Sequence, residues 1–130
     1  MKTLFFTLSE LCVTDSGLLN FPGWEEIDNL YRLVTNVLDP LRAAYKQPIK
    51  VNSGFRSEAV NKAIGGVPTS QHRYGAAADI TAGDKLQNKR LFDIIVASLP
   101  FDQCICEKDY TWIHVSYKAS GNRKQVLFLA

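Results

Sequence analysis

Two short apolar segments near the C-terminus, "FDQCICE" (101–107) and "WIHVSY" (112–117), are separated by the four residues "KDYT". Two strand-like segments joined by a short loop are typical of an antiparallel hairpin. If "KDYT" is the loop, Glu107 pairs with Trp112 and Ile105 pairs with His114. Directly opposed residues of antiparallel strands point to the same face, so this register assigns each side chain of the hairpin to one face.

The register separates a polar face from an apolar face. One face carries Glu107, Trp112, His114 and Ser116, and the other carries Cys104, Cys106, Ile113, Val115 and Tyr117. A C-x-C pair can bind a metal, but here both thiols point away from the histidine. We therefore interpret them as small core side chains. With three cysteines in the chain, the sequence predicts no disulfide framework.

Helical patterns dominate the part of the chain before the hairpin. Apolar residues recur at helical spacing from Trp24 to Tyr45, where Pro40 is expected to kink or split the helix. A second helix is predicted after Asp84 as N-cap and before Pro100, with Leu86, Leu91, Ile94, Ile95 and Leu99 facing inward. Shorter helices are predicted at "SELCV", capped by Thr7 or Ser9, and at "SEAVNKAIGG", capped by Ser57.

Three further segments are predicted to be strands: "PIKVNSGF", "AAADITA" and the C-terminal "QVLFLA". Helices gathered early and strands gathered late indicate an α+β fold. The expected architecture is an antiparallel sheet with helices packed on one face. No repeat or linker divides the 130 residues, so we predict a single domain spanning 1–130.

Composition excludes several classes of partner. The formal net charge is +2, from 15 Lys+Arg against 13 Asp+Glu, which is too balanced to indicate nucleic-acid binding. No run approaches the ~20 apolar residues of a membrane span, so no membrane insertion is expected. The opening "MKTLFFTLSEL" has too short an apolar run for a signal peptide, which predicts a protein made in the cytoplasm. We expect a monomer.

Besides the hairpin, the segment "TSQHRYGAAADI" (69–80) contains residues that could form a site. It places His72 and Asp79 on either side of Gly75 and three alanines. Small side chains allow close backbone approach, and glycine adopts positive φ without a Cβ penalty. If Ile80 faces the core, Asp79 points to the same face of the sheet as His114. Two imidazoles and one carboxylate suit zinc, with bonds of about 2.0–2.2 Å and a fourth position left for water. From spacing alone, ordinary solvated histidines remain the alternative.

A carboxylate near such a metal can act as general base. Glu107 shares the face of His114 at a diagonal offset on the order of 7 Å, near enough to reach a metal-bound water without ligating. Asp109 has the same parity but falls in the predicted turn, so it is the second candidate.

The segment "SQHRYGAAAD" matches the S-x-H-x-x-G-x-A-x-D signature of the zinc D-Ala-D-Ala carboxypeptidase family. This family includes bacteriophage L-alanyl-D-glutamate endolysins and vancomycin-resistance dipeptidases, and hedgehog signalling domains share its fold. "SGFRS" upstream and "WIHVSY" downstream occur in the order that the family uses. The chain thus resembles a compact, single-domain branch of this family over nearly its whole length.

The resemblance implies zinc as cofactor, with His72, Asp79 and His114 as ligands. It implies a general acid/base at Glu107, although many members carry this group three residues before the last histidine, where this chain has Thr111. That departure leaves the choice of base between Glu107 and the second candidate open.

Two further residues match substrate-binding positions of the family. Arg56 and Ser70 occupy positions that in relatives hold the substrate's carboxylate or peptide backbone, and a guanidinium grips a carboxylate in two places. The alternatives are a loop-bracing salt bridge for Arg56 and a cap or turn hydroxyl for Ser70.

The function implied by the resemblance is hydrolysis of peptidoglycan stem peptides by metal-activated water, as a carboxypeptidase or an endopeptidase. The enzyme would act on the cell wall, released at phage lysis or carried in a virion. The alternative is a non-catalytic module on the same fold, either a zinc-containing peptide-binding domain or a virion structural protein.

Overall fold

The computed structural model describes residues 3–130. Its five α-helices are α1 (Leu8–Leu11), α2 (Trp24–Leu33), α3 (Asp39–Tyr45), α4 (Glu58–Ala63) and α5 (Lys85–Ser98). Its five strands are β1 (Lys50–Ser53), β2 (Ala77–Thr81), β3 (Gln103–Glu107), β4 (Trp112–Ser116) and β5 (Gln125–Leu129). Within the described range, no helix is both long and apolar enough to cross a membrane.

The strands form one sheet in the order β1-β2-β4-β3-β5. All neighbouring pairs are antiparallel except β3 and β5, which are parallel. This arrangement confirms the predicted α+β class with a mostly antiparallel sheet. The parallel pair was not predicted; it arises because the chain passes from β4 across β3 before it enters β5.

The predicted hairpin register is confirmed. Glu107 lies opposite Trp112 and Ile105 lies opposite His114, with the loop at residues 108–111. The apolar face is buried as expected: Cys104, Ile113 and Val115 are fully buried, and Cys106 is 3% exposed. Tyr117 packs against this core while partly exposed.

The long helical region is split into three parts. A π-helical segment, Val34–Leu38, connects α2 to α3, and Pro40 occupies the first turn of α3. Since proline has no N–H, a wider turn before it accommodates the missing hydrogen-bond donor. The apolar stripe is buried at Leu30, Leu33, Val34, Val37, Leu38 and Leu41.

The helix caps are confirmed, but the buried face of α5 differs from the prediction. Ser57 caps α4 and Asp84 caps α5, each by accepting a backbone N–H. Leu86, expected to face inward, is 65% exposed. The buried positions are Asn88, Leu91, Phe92 and Ile95, and residue 86 lies about 200° around the helix from residue 88.

Asn88 takes the inward position because its amide satisfies buried backbone groups. It accepts from the N–H of Ala82 at 2.7 Å and donates to the carbonyls of Tyr110 and Thr111 at 2.9 and 3.1 Å. This side chain therefore ties α5 both to the end of β2 and to the hairpin loop beside Glu107.

Candidate metal centre

Two of the three predicted ligands are neighbours in the sheet. Asp79 of β2 lies directly opposite His114 of β4, and the carboxylate Oδ1 is 3.0 Å from His114 Nδ1. On its other side Asp79 pairs with Ser53 of β1. The prediction that the alternation of "ADI" places Asp79 on the face of His114 is confirmed.

The third predicted ligand comes from a 3-10 helix, Gln71–Tyr74, which precedes β2. Ser70 caps this helix: its Oγ accepts from the N–H of His72 at 3.3 Å. Gly75 ends it at φ +73°, in the left-handed conformation. The sequence pattern predicts no helix here, and the helix brings His72 Nε2 to 3.3 Å from Asp79 Oδ1.

The donor atoms of His72, Asp79 and His114 all lie within 4.8 Å of one another. His72 Nδ1 donates to the carbonyl of Gly54 at 2.7 Å, so Nε2, the nitrogen that faces Asp79, is the one that would bind a cation after releasing its own proton. Around a tetrahedral ion with bonds of about 2.0–2.2 Å, ligand atoms are about 3.3–3.6 Å apart. The separations of 3.3 and 3.0 Å are close to that range, so these residues fit a small divalent cation.

Asp79 is held in its ionised form. Burial alone would raise the pKa of Asp79, but hydrogen bonds and charge interactions with His114 and His72 outweigh burial and keep that pKa well below its usual range. Its second oxygen, Oδ2, accepts from Arg56 Nη2 at 3.3 Å. Oδ1 is thereby the oxygen directed between the two imidazoles.

Two residues, Arg56 and Ser70, are predicted to bind substrate. Their contacts in the structure match the alternative roles, a salt bridge for Arg56 and a helix cap for Ser70. The Arg56 guanidinium bridges Asp79 and Ser53, donating to Ser53 Oγ at 2.9 Å. Ser70 serves as the cap of the 3-10 helix. Their roles toward a substrate remain predictions.

Glu107 lies at the end of β3 on the polar face of the sheet and is half-buried. Burial raises the pKa of Glu107; the Asp79 carboxylate adds to the rise, and His114 opposes it. The carboxyl group is thus close enough to the cluster to interact with its charges. Asp109, in contrast, has a side chain 83% exposed and forms an ion pair with Lys85 at 3.5 Å. Of the two candidate carboxylates, Glu107 is the one that interacts with the cluster.

Three polar residues that the sequence did not single out extend the cluster. Gln71 Oε1 lies 3.3 Å from His114 Nε2, and Gln71 Nε2 donates to Asp102 Oδ2 at 2.9 Å. Asp102 accepts in turn from Arg123 at both carboxylate oxygens. No local spacing indicates these contacts, since Gln71 and Asp102 are 31 residues apart in the chain.

Comparison with known proteins agrees with this geometry. Residues 6–116 match the Peptidase M15 family. A 39-residue segment, 30% of the chain, is 51% identical to the zinc D-Ala-D-Ala carboxypeptidase of Streptomyces albus G. The aligned segment spans 15% of that relative's length. Because the family match covers most of the chain, the protein belongs to the Peptidase M15 family.

Proposed function

We propose that the protein is a zinc-dependent peptidase that hydrolyses the stem peptides of peptidoglycan in the bacterial cell wall. The observation that carries this proposal is the convergence of His72 Nε2, Asp79 Oδ1 and His114 Nδ1 beside the half-buried Glu107. The family match supports peptide hydrolysis, and the Streptomyces relative supports zinc and a D-Ala-containing substrate.

The three side chains would hold the zinc ion, which when bound lowers the pKa of a bound water and polarises a carbonyl oxygen. Glu107 would take the proton of the attacking water and pass it to the leaving amine nitrogen. The raised pKa of Glu107 suits this task, because a base that must later act as an acid works best near the operating pH. Arg56 keeps Asp79 oriented through Oδ2 and would bind the substrate beside it.

A groove beside the cluster supports an extended peptide as substrate. Its volume is about 440 Å³, and it lies between residues 13–15, the outer strand β1 and the side chains of Arg56, Val60 and Ile64. Within residues 3–130, β1 is an edge strand that pairs with β2, and the groove runs along its other edge, where a peptide could be added as a strand. Ser53 and Arg56 belong to both the groove and the surroundings of Asp79.

The substitution Glu107→Gln tests the catalytic assignment. The variant should bind one zinc per chain and lose hydrolysis by at least ~10²-fold, the usual contribution of a general base. Glu25→Gln, at an exposed position of α2, is the matched control and should leave hydrolysis unchanged. The measurement is mass spectrometry of products from defined muropeptides, with and without chelator, which also identifies the bond that is cut.

Two outcomes would contradict the proposal. If the zinc-loaded wild-type protein leaves every muropeptide intact, the fold serves a non-catalytic role. If Glu107→Gln hydrolyses as fast as the wild type, another group is the base.

The groove is tested separately with Ile64→Trp, which adds bulk at its rim. This variant should raise KM for a peptide substrate while zinc affinity stays unchanged. Val67→Trp is the control, because Val67 is similarly exposed but does not line the groove. Equal KM values for the two variants would place the substrate elsewhere.

A further inference from the structure

A chain of polar contacts runs from the protein surface to the candidate metal centre, through Arg123, Asp102, Gln71 and His114. We propose that Arg123, Asp102 and Gln71 are positioning residues that keep the proton of His114 on Nε2, so that Nδ1 is available to the metal. This inference rests on the proposed zinc centre, and it assigns the relay Arg123–Asp102–Gln71 a role in building that centre.

The relay begins at a carboxylate with a fixed orientation. The side chain of Asp102 is fully buried. Its Oδ1 accepts from Arg123 Nε and from the backbone N–H of Arg123, both at 3.0 Å, and its Oδ2 accepts from Arg123 Nη2 at 2.8 Å. A two-point contact of this kind holds both the charge and the orientation of the carboxylate.

The carboxylate determines which way the Gln71 amide points. An ionised carboxylate only accepts hydrogen bonds, so the group of Gln71 that lies 2.9 Å from Asp102 must be its NH₂. The reverse orientation would place two acceptor oxygens against each other. The amide oxygen, Gln71 Oε1, therefore faces His114.

The amide oxygen in turn determines the tautomer of His114. Since Gln71 Oε1 only accepts, it favours a proton on the His114 nitrogen 3.3 Å away, Nε2. Asp79 Oδ1, 3.0 Å from Nδ1, is the other acceptor at this ring, so once a cation is bound by Nδ1 and Asp79, Nε2 is the nitrogen that carries the proton. Nδ1 is then the His114 atom that would bind the cation, together with Asp79 Oδ1 and His72 Nε2. The Gly54 carbonyl fixes the proton of His72 on Nδ1 in the same manner. Metal-binding histidines commonly use such a partner to fix the tautomer.

The substitution Asp102→Asn tests this inference, because it replaces one oxygen by a donor of nearly the same size. The oxygen of the new amide keeps the backbone N–H and Nε of Arg123, and the contact with Nη2 is lost. The NH₂ of the new amide then faces Gln71, whose amide turns and presents its own NH₂ to His114. The proton of His114 would move to Nδ1, where it blocks ligation. We expect zinc affinity to fall about 10–100-fold, the usual effect of losing such a partner. Competition with a chromophoric chelator measures it.

A second substitution should restore the original polarity. In the double variant Asp102→Asn/Gln71→Glu, the carboxylate at position 71 accepts both from the new amide and from His114 Nε2. Zinc affinity should return to within a few-fold of the wild type. Asp93→Asn is the charge control, because Asp93 is exposed on α5, where it pairs with Lys89. It should leave zinc affinity unchanged.

A direct readout is the ¹⁵N NMR spectrum of the imidazoles in zinc-loaded protein. In the wild type the Nε2 proton of His114 should exchange slowly with water, because Gln71 Oε1 accepts it; in Asp102→Asn the same proton faces an NH₂ group and should exchange rapidly. If Asp102→Asn does not fold, Gln71→Met tests the same point at a partly exposed position. It should give rapid exchange of the same proton and about tenfold weaker zinc binding.

The outcomes separate this inference from the proposed function. Wild-type zinc affinity in Asp102→Asn or in Gln71→Met, or a double variant no better than Asp102→Asn alone, would overturn the relay while leaving a zinc peptidase intact. Loss and rescue of zinc affinity in a protein that hydrolyses no muropeptide would uphold the relay and overturn the peptidase.

Discussion

Replacing Gly75 by alanine should be among the most damaging small substitutions in the chain. Gly75 ends the 3-10 helix that carries His72, and it has φ +73°. A Cβ at this position would lie 2.5 Å from the backbone carbonyl oxygen of Glu26 and 3.1 Å from Leu30 Cγ. The substitution therefore combines an unfavourable backbone conformation with a collision against a helix backbone that cannot move aside.

The two costs are of known size. A non-glycine residue in the left-handed conformation costs about 1–2 kcal/mol, and overpacking a tight contact costs about 1–3 kcal/mol. Reduced freedom of the unfolded chain returns about 0.4–1 kcal/mol. Gly75→Ala should accordingly lower the free energy of unfolding by about 1–4.5 kcal/mol. It should also weaken zinc binding, because the collision displaces His72 from Asp79.

Two other glycines separate the contributions. Gly65 has φ +78°, but a Cβ at this position would have no atom within 4 Å. Gly65→Ala should therefore lower the free energy of unfolding by only about 0.5–1 kcal/mol. Gly54 has no positive φ, but its Cβ would lie 2.3 Å from the carbonyl oxygen of Leu11, so Gly54→Ala reports the collision alone. Urea denaturation gives the three free energies. The reasoning is refuted if Gly75→Ala costs no more than Gly65→Ala.

Four further outcomes follow from the structure. Zinc at a hundredfold excess over its Kd should raise the free energy of unfolding by about 2.7 kcal/mol. Asp79→Ala should abolish this stabilisation, which is measured by thermal denaturation with and without chelator. Burial raises the pKa of Glu107, so this base becomes protonated at a higher pH than an ordinary glutamate. As the pH is lowered, kcat/KM should therefore begin to fall before the pH reaches the range in which an ordinary glutamate titrates. A pH profile tests this, because an acid limb at ordinary glutamate pH would contradict it. Lys46 ends α3 in the left-handed conformation, at φ 66°, which glycine adopts at lower cost than lysine or alanine. In urea denaturation Lys46→Gly should therefore stabilise the protein by about 1 kcal/mol, and Lys46→Ala should not. Cys104, whose pKa burial raises to about 12, should react with a thiol reagent at pH 8 only after unfolding; rapid labelling of the native protein would contradict the core assignment.

The parts of the site that depend on strand alternation could be predicted from the sequence. A four-residue loop fixes the hairpin register, and the register fixes the face of His114 and Glu107. The alternation of Asp79 and Ile80 does the same for β2. These inferences hold because the period of a strand is two, so one known inward residue assigns its neighbours.

The parts that depend on contacts distant in sequence could not be predicted. Gln71 meets Asp102 only because β2 and β3 flank β4, and Arg123 reaches Asp102 from the segment before β5. Helical spacing alone predicts that Leu86 faces inward, whereas polar contacts to the hairpin loop place Asn88 inward and Leu86 at the surface. Spacing reports periodicity, and it does not report which polar partners a distant segment supplies.

The three candidate ligands differ in how firmly the fold positions them. Asp79 and His114 are paired across two central strands, so each is held by backbone hydrogen bonds on both sides. His72 lies on one turn of 3-10 helix, and the Gly54 carbonyl orients its ring by accepting from Nδ1. The same alternation that directs His114 to the polar face directs Cys104 and Cys106 into the core, which keeps competing thiolates away from the cation. Substitutions around His72 should therefore tune metal affinity with little effect on the sheet, whereas substitutions that shift the register of β4 should destroy the site and the core together.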